Sequence, residues 1–275
     1  KASIIGAYGS MGKGAAAVVI YILFYFLLIN NSNVKTIKAY FWALIFSSSL
    51  VIIYSSLQLF GVFALPLEFT HSAFFNPIGS ATNLGMFLAI VLPMLAVAFT
   101  QVKEINPNAN ILFSVLIKIY IGVAILAGLV ILSIFKVVFL WVAAIIGVAA
   151  ALLFFIPKIV KITNNNLIIP ITIFLLLVTL AVMGNFNFTA INIPQDNAVS
   201  LKDSYNIGLN GLKAKQFFGS GPSTYYYDFA KFKGTDFNSS PFWNYRFDSA
   251  SNFLLELSST TGVGGVLAVL ACLLS

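Results

Sequence analysis

The chain has 275 residues, of which 60% are hydrophobic and only 8% charged. An ordinary water-soluble fold cannot bury that much apolar surface with so few charges, so a multi-span membrane protein is expected. The net charge of +7 does not indicate a nucleic-acid partner, because the lysines sit beside helix ends rather than along one aromatic-lined face.

Seven apolar runs are predicted to span, each near the roughly 20 residues a bilayer requires. They cover 14–29, 39–63, 84–99, 111–135, 137–156 and 167–183, and the seventh starts near 261 and runs to the end. The chain begins at Lys1 and its last apolar run stops at Ser275 without a flanking charge, so it reads as a fragment of a longer protein. The expected fold is all-α, a polytopic membrane helix bundle with one large extracytoplasmic loop between spans six and seven. Residues 1–183 would hold the first six spans, 184–252 the loop domain and 253–275 the start of the last span.

The short loops set the orientation. Lys35 and Lys38 follow span one, Lys103 follows span three with Lys118 a little further on, and Lys158 and Lys161 follow span five. The alternate loops carry only Glu68 and His71 after span two and Lys136 after span four. The basic loops are therefore expected in the cytoplasm and the long loop outside. Lys118 lies near a cytoplasmic helix end, where its stem can snorkel.

The loop has internal organisation. After an Asn-rich passage (Asn185, Asn187, Asn192, Pro194), Ser200 and Asp203 have capping-box spacing and predict a helix. Ile207, Leu209, Leu212 and Phe217 are its expected apolar face. Gly219-Ser-Gly-Pro222 breaks it, an aromatic run 225–232 follows, and a polar turn 236–240 precedes Pro241-Phe-Trp-Asn-Tyr-Arg-Phe247. So many aromatics suit a domain lying on the membrane interface.

Few residues can carry chemistry. Arg246, the only Arg, is the candidate phosphate ligand, against the alternatives of an interfacial anchor or a salt bridge with Asp248. Lys213 and Lys215, with Lys231 and Lys233, would add positive potential for a diphosphate or form a solvated face. The N–H groups of Gly219 and Gly221 could bind an anion, although a structural turn is the simpler reading. His71, the only His, and Asp228, Asp248 and Glu256 are the candidate bases. Ser251 and Asn252 have a helix-capping role by default. Cys272 stands alone, no Cys/His spacing suits a metal, and no cofactor is expected.

Three passages resemble the O-antigen ligase and polymerase superfamily of bacterial membrane glycosyltransferases. They are Phe75-Asn-Pro-Ile-Gly-Ser-Ala-Thr-Asn-Leu84 leading to Leu92-Pro93, then Phe217-Phe-Gly-Ser-Gly-Pro-Ser-Thr-Tyr225, then the segment 242–256 followed by Thr261-Gly-Val-Gly-Gly265. In the outer loop, Asn238, Phe242, Trp243, Arg246, Phe247, Ser249 and Ser251 are similar to a pattern of one branch of the family. The resemblance implies a metal-independent enzyme in the bacterial cytoplasmic membrane. It would move a glycan from an undecaprenyl-diphosphate carrier to a glycan, lipid or protein acceptor outside. Arg246 would contact the diphosphate, with Trp243, Ser251, Asn252, Gly219 and Gly221 on the substrate side. The family's better-known ligases have a His where Ser251 stands here, so either another base acts or the activity differs.

Two other classes stay open. One is a transporter or flippase of lipid-linked saccharides without chemistry, which the lack of acidic residues in the middles of the spans disfavours. The other is a scaffold or sensor whose loop binds a protein.

Overall fold

The computed structural model of the chain describes residues 2–6, 11–72, 75–105, 110–135, 138–159, 168–183 and 199–274. Among them every regular element is helical. The helices are α1 (Ala2–Ile5), α2 (Ala15–Asn31), α3 (Val34–Leu59), α4 (Ala81–Ile105), α5 (Ile111–Phe135), α6 (Val138–Ile159), α7 (Ile168–Met183), α8 (Leu201–Ala214), α9 (Tyr225–Phe232) and α10 (Phe253–Leu274). Each expected apolar run thus contains a helix. Four segments, Val34–Leu59, Ala81–Lys103, Ile111–Phe135 and Phe253–Cys272, are long and apolar enough to cross a bilayer, which makes this a membrane protein. Ala15–Asn31 and Phe139–Leu153 are shorter apolar helices. The Asn-rich passage 184–198, Lys136 and Lys161 lie outside the described residues.

The chain divides into two compact units, Asn33–Asp196 and Lys1–Ser32 with Asn197–Ser275. In the first, α4 is central and touches α3, α5, α6 and α7. Leu88, Leu92, Leu95 and Ala98 on α4 are fully enclosed. Lipid gives helices no hydrophobic reason to associate, so close approach depends on small residues. Pro93 interrupts α4, and its ring leaves Ala89 O without the usual N–H partner. Gly147 of α6 covers this place, where a Cβ would meet Pro93 Cγ at 2.6 Å and Ala89 O at 3.7 Å. A Cβ on Gly128 of α5 would likewise meet Leu92 Cδ2 at 2.9 Å. Lys118 does not reach out alone, since its ammonium lies 5.5 Å from the centre of the Phe99 ring.

The passage opening α4 is a turn followed by a cap. The Asn76 side chain accepts from Ile78 N and Gly79 N at 3.1 and 3.0 Å, and Ser80 Oγ accepts from Asn83 N at 3.2 Å. An Asx turn and an N-terminal Ser satisfy backbone groups that the new helix leaves open.

In the second unit α2 is apolar on all sides and buries no residue. The loop helix α8 forms where the capping pattern predicts: Ser200 Oγ accepts from Asp203 N at 3.0 Å and donates to Asp203 Oδ2 at 2.7 Å. Its buried face differs from the expected one. Ser204, Ile207, Gly208 and Gly211 are buried, while Leu209 and Leu212 are half-buried and Phe217 is exposed. The reason is close packing on α10, where a Cβ on Gly211 would meet Ser259 Cβ at 2.7 Å and one on Gly208 would meet Leu255 O at 3.1 Å. Beneath α9, Phe229, Phe237 and Phe247 form an edge-to-face aromatic core.

Candidate functional site

The polar chemistry of the loop unit is built around a break in α10. Gly262 sits at φ 66°, ψ −164° and divides this helix into a polar half and an apolar half. A helix break leaves backbone groups unpaired. Here the turn after α8 takes them up: Ser220 N donates to Ser259 O at 3.0 Å and Gly221 N to Thr260 O at 2.7 Å. In return Val263 N donates to Gln216 O at 2.9 Å and Gly264 N to Phe217 O at 3.3 Å. Gly219 is also left-handed, with φ 61°, and a Cβ on Gly262 would meet Gln216 O at 2.6 Å. The two glycine motifs of the sequence are therefore two sides of one seam.

This has a consequence for Gly219 and Gly221 as anion ligands. Gly219 N donates to Lys215 O at 3.1 Å and Gly221 N to Thr260 O. Both N–H groups point at protein carbonyls, and the turn is structural.

Asp228 lies behind the seam and is buried. Its burial pushes the carboxyl above the usual range, while the Ser220 and Ser259 hydroxyls and the charges of Lys215 and Lys231 pull it back. A chain of hydroxyls runs from it: Ser220 Oγ contacts both Asp228 Oδ2 and Thr224 Oγ1, and Thr224 donates to Gly221 O. With Asp228 ionised, Ser220 donates to it and no proton remains for the Ser220–Thr224 link. With Asp228 protonated, every link holds one proton. Next to it, burial pushes the Tyr225 hydroxyl up to about 12. Ser204 stands beside that hydroxyl without closing a hydrogen bond of normal geometry.

Glu256, on the polar half of α10, makes an ion pair of 2.7 Å with Lys13 just before α2, and its second oxygen accepts from Ala250 N at 3.4 Å. Ser251 N donates to Ser204 Oγ at 3.0 Å. Asn252 Oδ1 accepts from Leu254 N at 2.8 Å and so caps α10. Both residues hold the helix start in place.

Arg246 is different, since it is exposed and outside this network. Its Nη1 donates to Tyr226 Oη at 2.7 Å, and the guanidinium lies 5.6 Å from the Tyr226 ring centre. Among the described residues no carboxylate pairs with it, and Asp248 instead accepts from Ser249 Oγ at 3.2 Å. Trp243 is exposed, and its carbonyl accepts from Lys233 Nζ at 3.4 Å. Lys213 and Lys215 are exposed at the end of α8. His71 belongs to the other unit, where its ring stacks on Phe63 at 5.2 Å and its Nε2 faces Leu65 O at 3.2 Å.

Sequence reasoning missed Tyr226, Lys13 and the Ser220–Thr224–Asp228 chain. In the last of these both partners meet at Ser220, which reaches Asp228 from eight residues back across the turn, a link that no local spacing marks. No family model matches the chain, and no curated protein or solved structure matches it at a significant level.

Proposed function

We propose that the chain transfers a glycan from an undecaprenyl-diphosphate carrier to a glycan, lipid or protein acceptor at the outer surface of a bacterial cytoplasmic membrane. One observation carries this reading. Arg246 is an exposed guanidinium, held in place by the Tyr226 hydroxyl and ring, with no carboxylate neutralising it among the described residues. Such a group binds a diphosphate through paired N–H donors and stabilises the charge that builds on it as the glycosyl bond breaks. The exposed Lys213 and Lys215 on the same unit add positive potential.

In this mechanism the electron pair of the breaking sugar–oxygen bond leaves with the lipid diphosphate, and the acceptor hydroxyl bonds to the sugar carbon. The acceptor proton passes to a base. Asp228 is enclosed, which leaves Asp248, two residues from Arg246, as the accessible candidate on this unit. Seven spans with the loop facing outward complete the proposal, since the lipid carrier must reach the site from within the bilayer.

The test is release of free lipid diphosphate from a lipid-diphosphate-linked glycan by the protein in reconstituted membranes. Replacing Arg246 with Ala should lower release by about a hundredfold or more, as for loss of one oxyanion donor. Arg246→Lys should restore part of it. Release at the wild-type rate in correctly inserted Arg246→Ala protein would rule the reading out. Flipping of the same lipid without release would favour the transporter.

A further inference from the structure

Two adjacent phenylalanines stand out from the loop unit. Phe217 is 71% exposed and Phe218 is 89% exposed. Their main chain is not free. Gln216 O and Phe217 O accept from Val263 N and Gly264 N, and Gly219 N returns to Lys215 O. The turn thus presents both rings in a fixed place. That place is the first turn of the apolar half of α10, whose Val263, Leu267 and Leu270 are exposed.

We propose that Phe217 and Phe218 form a wedge seated in the headgroup layer of the bilayer, with Lys213 and Lys215 on the lipid phosphates. Within the segment Phe253–Cys272, the half before Gly262 buries Glu256, Ser259 and Thr260 while the half after it exposes apolar side chains, so the change from protein-packed to lipid-compatible surface falls at Gly262, beside the two rings. Aromatic side chains favour this boundary layer, and lysine stems lie along apolar surface while their ammoniums reach phosphate. Lys213 and Lys215, both exposed, precede the pair by a few residues, which gives the patch the charge complement of an anionic lipid surface. A second copy of the chain is a poorer occupant, because contact through this corner would bring the lysines of both copies together. The wedge needs no transfer chemistry and stands or falls separately from it.

The experiment is a depth measurement on the full chain in vesicles of phosphatidylcholine containing phosphatidylglycerol. In a Cys272→Ser background, a fluorophore is attached at Phe218→Cys, and a second protein carries it at Leu267→Cys as the lipid-embedded reference. A headgroup-level nitroxide lipid should quench the label at 218 strongly, and an aqueous quencher should do so weakly. Adding Phe217→Asp should lower the ratio of lipid to aqueous quenching roughly tenfold, the partitioning value of one buried aromatic side chain. Free access of the aqueous quencher to position 218 would overturn the proposal. So would a label that neither quencher reaches, which would mean protein covers the pair.

Discussion

The two units are held together by different physics. In the unit Asn33–Asp196, α4 is enclosed by aliphatic side chains, and its neighbours approach through single glycines such as Gly128 and Gly147. In the loop unit the glycine packing of α8 on α10 and the aromatic core are joined by polar contacts: four backbone bonds across the seam, the Lys13–Glu256 ion pair and a hydroxyl chain ending at a buried carboxyl. Helices surrounded by lipid keep their own backbone satisfied and need only shape to pack. A domain built around a broken helix must supply partners for every group the break exposes. The first kind of packing responds to side-chain size at its small-residue contacts, whereas the second responds to single hydrogen-bonding atoms and to pH.

The largest break in this contrast should come from Gly262→Val. It places a branched side chain at φ 66° and against Gln216 O, and should cost about 3 kcal/mol or more. Limited proteolysis should then cut the loop unit while the fragments of the first unit persist. Gly147→Val tests the other side. Its side chain would strike Pro93 and should cost about 2 kcal/mol through overpacking, with loop proteolysis unchanged. Glu256→Ala leaves Lys13 unpaired, but the lysine is half in solvent. A loss of about 1 to 2 kcal/mol is expected, read as faster cleavage near residue 13, and reduced by high salt already in the wild type.

The smallest change, of opposite sign, is Asp228→Asn. The folded carboxyl titrates above its unfolded value, so the fold binds a proton more tightly than the unfolded chain does. Stability therefore falls as pH rises from the ordinary carboxylate range through the raised value, then levels off. An amide supplies a proton to Ser220 at every pH. The variant should remove that fall and gain about 1 kcal/mol or less at neutral pH, checked by denaturation of the loop unit across pH.

Much of this architecture is legible in the amino-acid order. Apolar runs mark the helices because a spanning helix must be apolar along its length. Ser200 and Asp203 mark the start of α8 because a cap is a local arrangement of backbone and side chain. The seam is not legible in the same way. Gly219 and Gly262 announce left-handed backbone, but nothing in either motif names the carbonyls of the other. The face of α8 was misjudged for a related reason: size predicts burial where helices meet at ordinary distance, and Gly208 and Gly211 set a shorter one. Arg246 was a candidate from its chemistry alone, whereas its tie to Tyr226 depends on a fold that brings residues 20 apart together.

The Lys13–Glu256 ion pair also sets an order of events during synthesis. Its two side chains stand 2.7 Å apart but are 243 residues apart in the chain. The unit that holds them is made of Lys1–Ser32 and Asn197–Ser275, so its first segment waits for its charged partner until the chain has been made as far as Glu256. Every residue of the other unit is therefore in place before this contact can close.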